Sequence, residues 1–410
     1  MTATRPEAVI VAAARSPIGR AHKGSLASMR PDDLATAMVR SVLGELPALA
    51  PREIDDLMLG CAQPAGESGH NLARAVAVLA GMDHLPGVTV NRYCSSSLQT
   101  TRMAMHAIRA GEGEVYISAG VETVSRYGSG ACDDLPGTHN PLLAEAEART
   151  EDRAADGHEA WTDPRSAGRI PDLYMTMGQT AENVAQHAGV TRQAQDEFAV
   201  RSQNRAEKAI ADGFFDAEIT PVALPDGTVV SADDGPRAGV TLDAVAALRP
   251  VFRPGGTVTA GNCCPLNDGA AALAVMSDRK AAELGVQPLA RIVSTGVSGL
   301  SPEIMGLGPV EASRRALALA GMTIDDIDLV EINEAFAAQV IPSARELGID
   351  EDRLNVNGGA IALGHPFGMT GARITTTLIH LLRSRDKQFG LETMCVGGGQ
   401  GMAMIIERLS

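Results

Sequence analysis

Three side chains that can perform chemistry stand in turns built from glycine or other small residues. Cys94 follows the apolar segment 87–91 and precedes three serines that open a helical pattern. His365 lies in a Gly-His-Pro turn, and Cys395 is followed, after one valine, by three glycines. Two thiols and an imidazole can form an acyl thioester and move a proton on and off carbon. Together they indicate acyl transfer.

Cys94 stands where a strand pattern gives way to a helix. The partial positive charge of a helix N-terminus favours the thiolate, which is the nucleophilic form of cysteine. The small residues 95–97 allow a substrate to approach and leave backbone N–H groups free to hold an oxyanion. A single buried cysteine is more often an inert small apolar side chain, and this alternative stays open.

His365 and Cys395 complete the group. Pro366 stiffens the backbone after His365, whose imidazole can take the thiol proton and later hold a carbonyl oxygen. The glycines after Cys395 allow close backbone approach, and a thiol with a pKa near the working range suits proton transfer at carbon. The alternatives are a histidine that caps a turn and an inert core cysteine.

Asn333 follows the strand pattern 329–332 and could hold a water molecule or donate to an oxyanion, with a helix cap as the alternative. No metal-binding spacing is found, because the histidines are scattered and the adjacent Cys263 and Cys264 cannot chelate a zinc ion alone. No phosphate-binding glycine motif follows a strand pattern.

Composition narrows the class of protein. The 410 residues are 45% hydrophobic and only 3% aromatic, which is sufficient for two domains with close helix–sheet packing. The net charge of -15 argues against nucleic acid or an anionic membrane surface as the main partner, and no apolar run is long enough to span a membrane. An early strand at 9–14 leaves no room for a removable leader, and six irregularly spaced cysteines indicate a reducing cytoplasm.

Strand and helix patterns alternate through the first quarter of the chain and predict an α/β fold with helices on the sheet faces. The predicted strands cover 9–14, 56–60, 87–91 and 115–120, and the predicted helices cover 32–46, 71–79 and 95–110. Residues 131–172 look irregular and 180–212 helical, which predicts a subdomain of about 126–250 that covers a ligand. A solvated surface excursion is the alternative.

The last third of the chain repeats the first. The strand at 88–91, with its turn and helix, matches 354–357 followed by a turn and a helix at 371–382, and 115–120 matches 393–397. We therefore predict two similar halves, 1–277 and 278–410, whose turns meet at one cleft. One turn supplies Cys94 and the other supplies His365.

Taken together, these blocks resemble the thiolase family, which makes or cleaves 3-ketoacyl-CoA. The resemblance also includes the segments 14–19, 177–183, 256–262 and 267–271. It implies a five-layered αβαβα fold of two duplicated halves with an inserted loop domain that holds coenzyme A. It further implies an acetyl-CoA C-acyltransferase with an acyl-cysteine intermediate, no cofactor besides CoA as substrate, and a homodimer or homotetramer.

The resemblance also implies roles for individual residues. Cys94 is the acylated nucleophile, His365 its base, and Cys395 the group that moves the proton at the α-carbon. One oxyanion hole combines His365 with a water molecule held by Asn333, and the other uses the N–H groups of Cys94 and Gly397.

For coenzyme A, the resemblance implies that Arg237 contacts a phosphate, with an exposed salt bridge as the alternative. Five further positions match the pantetheine and acyl channel, although ordinary core packing is the alternative for the large apolar ones. These positions are Met177, Ala260, Cys264, Met305 and Phe336.

Departures from the family pattern leave the substrate open. Ser95 stands where many members have glycine, and Cys264 replaces a serine whose hydrogen bond to pantetheine is then in doubt. Thr176 replaces a histidine seen in acetoacetyl-CoA-forming members, and Arg92 and Gln99 resemble degradative members. The segment 237–271, by contrast, also resembles biosynthetic enzymes. Acetoacetyl-CoA and longer 3-ketoacyl-CoA substrates are thus balanced. A binding protein without turnover is a second hypothesis, and a hydroxymethylglutaryl-type or decarboxylating condensing enzyme ranks lower.

Overall fold

The computed structural model describes residues 6–129, 133, 135–156 and 160–410. The strands are β1 Ala8–Arg15, β2 Gly19–Arg20, β3 Asp56–Gly60, β4 Gly87–Val90, β5 Val115–Thr123, β6 Val222–Ala223, β7 Val229–Val230, β8 Asn267–Ser277, β9 Ala290–Gly299, β10 Leu329–Ile332, β11 Phe389–Val396 and β12 Gln400–Arg408. The α-helices are α1 Pro31–Gly44, α2 Leu72–Leu79, α3 Ser96–Ala110, α4 Ala144–Asp156, α5 Met177–Ala188, α6 Arg192–Ala211, α7 Leu242–Ala246, α8 Asp278–Leu284, α9 Gly308–Ala320, α10 Ala337–Leu347, α11 Ala360–Leu363 and α12 Thr370–Ser384.

The two halves of the chain repeat one strand order. In the first half, β3 pairs in parallel with β4 and β5, and β8 lies antiparallel between β5 and β1. In the second half, β10 pairs in parallel with β11 and with a single bridge at Leu354, and β12 lies antiparallel between β11 and β9. A short pairing of β1 with β9 joins the halves. The predicted duplication is confirmed.

Three apolar clusters divide the molecule into layers. The first lies between α1, α2 and one face of the first-half strands, and the third lies between α9, α10 and the second-half strands. The second cluster fills the space between the two sets of strands and contains α3 and α12. Every residue of β5 and β8 is buried, as expected for strands covered on both faces. The five layers αβαβα are confirmed.

The central helices α3 and α12 contact each other closely, and this contact positions the site. A Cβ atom on Gly371 would lie 2.3 Å from the backbone nitrogen of Leu98, so the two helices approach at a distance that only glycine permits. Cys94 lies just before α3 and His365 just before α12. The contact between the helices therefore brings the two turns to the same region.

The segment between β5 and β8 contains α4 to α7 and the two-stranded sheet of β6 and β7. The prediction of an irregular 131–172 is wrong at α4, where a sequence rich in Ala, Glu and Arg forms a helix. The predicted helix 180–212 is divided into α5 and α6, because Gly189 adopts a φ of 66° and ends α5. The predicted strand at 354–357 is reduced to the one bridge at Leu354.

Candidate active site

Cys94 lies in a short turn between β4 and α3 whose backbone is strained. Tyr93 has a φ of 42°, which is unfavourable for a bulky side chain. The side-chain oxygen of Asn91 accepts the Tyr93 N–H at 2.8 Å, and the Ser96 hydroxyl accepts the Arg92 N–H at 2.9 Å and donates to the Tyr93 carbonyl at 2.7 Å. These bonds hold the turn so that Cys94 is 8% exposed at the end of a cavity.

The surroundings of the Cys94 thiol disfavour its thiolate form. Burial raises its pKa to about 12, and a hydrogen bond from the backbone N–H of Gly397 lowers it only in part. Loss of solvation on burial disfavours the thiolate, so the position before a helix does not by itself supply it. Cys94 needs a base before it can attack.

His365 is a neutral imidazole with a defined tautomer. The Thr370 hydroxyl donates to the Pro366 carbonyl at 2.7 Å, so its oxygen, 2.6 Å from His365 Nδ1, accepts the Nδ1–H. Nε2 is then the unprotonated nitrogen. Burial, together with the positive charge of Arg373, lowers the pKa of His365 to about 3. The ring can therefore accept a proton at Nε2.

Asn333 lies beside that nitrogen. Its Nδ2 is 3.3 Å from His365 Nε2, and its backbone carbonyl accepts from the side chain of Gln339 at 2.7 Å. Asn333 is 1% exposed, and its side-chain oxygen has no hydrogen-bond partner among the described residues. One buried acceptor therefore remains for a further group, which fits the predicted role of holding a water molecule.

Cys395 lies near the end of β11 and is fully buried in an apolar cluster that includes Met305 and Phe336. Burial raises the pKa of its thiol well above the ordinary value, and the nearby charge of Cys94 raises it further. The raised pKa of Cys395 differs from the predicted value near the working range, because the thiol is fully buried. The turn that carries Cys94 packs against β11, which carries Cys395, so the fold brings the two predicted thiols to one region.

Gly397 begins the three-residue turn between β11 and β12. Its carbonyl accepts from Gln400 Nε2 at 3.3 Å, and Gln400 Oε1 in turn accepts from Arg92 Nη1 at 2.9 Å. The turn that carries Cys94 is thus tied to the turn that carries the Gly397 N–H. The sequence analysis missed Gln400, because a glutamine inside a glycine run carries no signal of its partner.

Glu122 and Thr370 were also missed. Glu122 is 1% exposed and accepts backbone N–H groups from Ala62, Gln63 and Gly368 at 2.8 to 3.3 Å, and burial raises its pKa. It joins the loop after β3 to the turn after His365. In the sequence it is one carboxylate within a strand, and nothing there indicates this contact.

A cavity of about 540 Å³ reaches Cys94 and Gly397. We call it the Cys94 cavity. Its walls include Tyr93, Tyr174, Phe367, His139 and Met177. Its volume lies in the range of small-molecule binding sites.

The predicted CoA-binding residues fall into two groups. Met305 and Phe336 are buried beside Cys395, and the half-buried Cys264 donates its N–H to the Ala335 carbonyl at 3.0 Å. Burial raises the pKa of the Cys264 thiol well above its ordinary value. Met177 lines the Cys94 cavity, whereas Ala260 is exposed.

Arg237 is exposed on the loop before α7, and its guanidinium makes no hydrogen bond or ion pair within the described residues. The salt-bridge alternative is therefore absent here. The loop packs on the element before His365, because a Cβ on Gly235 would lie 2.3 Å from the Ala362 carbonyl oxygen. The unpaired guanidinium of Arg237 thus lies on a loop that contacts the element just before His365.

No helix in the described part of the chain combines the length and apolar character needed to cross a membrane. Among the same residues, no cluster of His, Cys, Asp or Glu is arranged to hold a metal ion.

Comparison with known families gives two matches that cover most of the chain. The family profile described as the thiolase N-terminal domain matches residues 8–279, and the profile described as the thiolase C-terminal domain matches residues 286–408.

Curated relatives are similar over their full length. The chain is 45% identical to a 3-ketoacyl-CoA thiolase of Bacillus subtilis, covering 98% of this chain and 99% of that one. It is 43% identical to an acetyl-CoA acetyltransferase of Escherichia coli with the same coverage. The crystal structure of the Bacillus anthracis acetyl-CoA acetyltransferase matches with a TM-score of 0.85 and 40% identity, covering 99% of both chains.

Proposed function

Because this chain belongs to the thiolase family, we propose that its acyltransferase activity acts on 3-ketoacyl-CoA thioesters longer than acetoacetyl-CoA. The protein is a thiolase, which reversibly cleaves a 3-ketoacyl-CoA with free CoA to give acetyl-CoA and a shortened acyl-CoA. Acyl-CoA and CoA are its substrates. We also propose the roles of individual residues, the length of the acyl chain, the oligomeric state and the cellular location.

In the cleavage direction, His365 Nε2, which carries no proton, takes the proton of the Cys94 thiol. The sulfur then attacks the keto carbon, and the bond between C2 and C3 breaks. The electron pair moves to C2, which takes a proton from the Cys395 thiol to give acetyl-CoA. The Cys395 thiolate then takes the proton of the CoA thiol, whose sulfur attacks the acyl-Cys94 thioester. The shortened acyl-CoA leaves, and the Cys94 thiolate takes its proton back from His365.

Charge develops on two different oxygens during this cycle. The N–H groups of Cys94 and Gly397 stabilise the oxygen of the acyl group on Cys94, which agrees with the Gly397 N–H that already bonds the thiol. A water molecule held by the free side-chain oxygen of Asn333 and the Nε2–H that His365 gains from Cys94 donate to the enolate oxygen of acetyl-CoA. Removal of one such donor typically costs about 3 kcal/mol of activation free energy.

Every step uses side chains of this chain and the thiol of CoA. We therefore propose CoA as the only non-protein participant, present as substrate and product. The unpaired guanidinium of Arg237 supports the proposal that this residue contacts a phosphate at the nucleotide end of CoA.

The proposal on acyl chain length rests on the volume of the Cys94 cavity. A cavity of roughly 150 Å³ already holds benzene. The Cys94 cavity measures about 540 Å³, and its walls include residues of the inserted segment such as Tyr174 and Met175. This volume supports the proposal that the cavity accepts acyl groups longer than two carbons. The replacement of the expected histidine by Thr176 also favours this substrate class.

The test is the rate of thiolysis for linear 3-ketoacyl-CoA substrates from four to ten carbons. We expect kcat/KM to rise at least tenfold from acetoacetyl-CoA to the six- and eight-carbon substrates. A rate that is highest for acetoacetyl-CoA and falls with each added carbon would refute the chain-length proposal while leaving thiolase activity intact.

We propose a homodimer formed across the edge strand β4. Among the described strands β4 lies at the end of its sheet, and edge strands offer unpaired N–H and C=O groups to a partner. Val78 and Leu79 at the end of the neighbouring helix α2 are 46% and 42% exposed. Light scattering on the purified protein should give twice the chain mass or a multiple of it; a monomer mass would exclude the proposal.

A location in a reducing cytoplasm is also a proposal. It is supported by the five described cysteines, all of which are free thiols.

A further inference from the structure

Aromatic side chains are concentrated around the Cys94 cavity. The whole chain contains one Trp, four Tyr and seven Phe. Three of these twelve, Tyr93, Tyr174 and Phe367, line this one cavity. His139 adds a fourth ring, stacked on Tyr174 with centroids 3.9 Å apart and planes 12° apart. Because the chain contains few aromatic residues, their concentration around this cavity indicates a ligand that packs against aromatic rings.

Two of the rings stand directly beside the reacting groups. A Cβ on Gly397 would lie 3.3 Å from two ring carbons of Tyr93, so this ring packs against the N–H that bonds Cys94. The ring of Phe367 meets His365 edge to face, with centroids 5.1 Å apart. An acyl group on Cys94 therefore has an aromatic ring near Gly397 and another near His365. The atoms of the acyl group nearest to Cys94 therefore contact these rings, and the far end of the acyl chain does not.

The backbone at Tyr93 supports a role for its side chain. A φ of 42° is strained for a bulky residue, and glycine or asparagine would adopt it more easily. Strain of this kind persists at functional sites where a side chain is needed in place. Lining a cavity for a plain alkyl chain does not require a ring here, since Leu and Met already supply such contacts at Leu173, Met175 and Met177.

We propose that the Cys94 cavity selects 3-ketoacyl-CoA thioesters that carry an aromatic ring on the keto carbon. The inference rests on the proposed function, because the ring reaches the cavity as part of the acyl group on Cys94. Aromatic pairs favour offset or edge-to-face contacts with centroids about 4.5–7 Å apart, which the two flanking rings can make with a flat acyl group.

The bond changes are those of thiolysis. Cys94 sulfur bonds to the aryl-bearing keto carbon, the bond from that carbon to C2 breaks, and C2 takes a proton to give acetyl-CoA. The aryl group stays on Cys94 as an aroyl thioester. The thiolate of free CoA displaces Cys94 and gives aroyl-CoA, so no oxidant or reductant is needed.

The experiment compares thiolysis of 3-oxo-3-phenylpropanoyl-CoA with that of linear 3-oxohexanoyl-CoA. We expect kcat/KM of the wild type to be about tenfold higher for the phenyl substrate. Tyr93→Leu and Tyr174→Leu should each reduce this preference, measured as the ratio of the two kcat/KM values in the same variant, at least threefold. Phe214→Leu, which removes a half-buried ring outside the cavity lining, is the matched control and should keep the preference.

A wild type that cleaves 3-oxohexanoyl-CoA as well as or better than the phenyl substrate overturns the inference and leaves the proposed function standing. Loss of both substrates in equal proportion in Tyr93→Leu and Tyr174→Leu also overturns it, because the rings then act on the site as a whole. Cleavage of neither substrate by the wild type removes the proposed function together with the inference.

Discussion

Arg92 Nη1 donates a hydrogen bond to Gln400 Oε1 at 2.9 Å, across a separation of 308 residues. Gln400 also donates to the Gly397 carbonyl at 3.3 Å. A side-chain pair thus connects the turn of the nucleophile to the turn that offers its oxyanion donor. The Gly397 N–H belongs to a turn in which Gly398 and Gly399 adopt φ values of 75° and 80°.

Gln400→Leu and Arg92→Met should each slow acyl transfer to Cys94 by about tenfold, less than the hundredfold typical of a lost oxyanion donor, because the donor is displaced and not removed. The loss should fall on kcat more than on KM. The double variant should be no slower than the slower single variant, because both break one connection. Pre-steady-state acylation by acetyl-CoA measures the step.

Arg315→Met is the control for the loss of an arginine's charge and side-chain length. Arg315 pairs with Glu311 on the exposed face of α9, outside the site. It should acylate at the wild-type rate. Additive losses in Gln400→Leu and Arg92→Met would show that the two residues act separately.

Cys395→Ser should separate proton transfer from acyl transfer. Because the hydroxyl of serine is a far weaker acid than a thiol, exchange of the C2 protons of acetyl-CoA with deuterated water should fall about a hundredfold or more. Acylation of Cys94 should fall less than tenfold. Proton exchange followed by NMR and acylation followed by mass spectrometry give the two rates, with Cys263→Ser as the control. Equal losses in both steps would contradict the division of labour.

The depressed pKa of His365 predicts acid sensitivity of the fold. The folded pKa is about 3 and the unfolded value is about 6.5, so between these values the unfolded chain binds a proton that the folded protein excludes. The free energy of unfolding should therefore decrease as pH falls from 6.5 towards 3. His365→Asn should flatten this decrease in denaturant titrations at pH 7 and pH 5.

His380 also has a pKa lowered by burial, so some pH dependence should remain in His365→Asn. His380→Asn should flatten the curve as well. An unchanged pH dependence in His365→Asn would mean that the imidazole is solvated and easily protonated in the folded state.

Arg237→Gln should raise KM for CoA about fivefold and change kcat less than twofold, because its exposed guanidinium has no partner within the described residues and lies away from the reacting carbon. With 3′-dephospho-CoA, wild type and variant should have similar KM values if the contact is to that phosphate. Arg169→Gln, another exposed arginine, is the control. A fivefold difference that persists with dephospho-CoA would place the contact elsewhere on the nucleotide.

Much of the fold follows from local patterns in the sequence. The β3 prediction matches residue for residue, and α2 and α3 begin one residue later than predicted, because apolar runs and helical spacing are encoded locally. The duplication is readable because each half repeats a strand, a turn and a long helix. Helix α4 was missed because its charged residues resemble a solvated loop, and only its contacts distinguish the two.

The site was predictable in its residue types and not in its electrostatics. Glycine and proline mark the turns of His365 and Cys395 in the sequence. The pKa directions depend on how deeply each thiol is buried, and burial is set by residues far away in the chain. For the same reason Gln400, Thr370 and Glu122 could not be found: each acts through a partner that only the folded chain brings near.

The most direct test is peptide mapping by mass spectrometry after incubation with acetyl-CoA and removal of free CoA. A single acetyl group should be found on Cys94 in the wild type and in Cys395→Ser, and none in Cys94→Ser. Acetylation of a different cysteine, or an unmodified Cys94 in a protein that still turns over, would contradict the proposal that this thiol carries the acyl group.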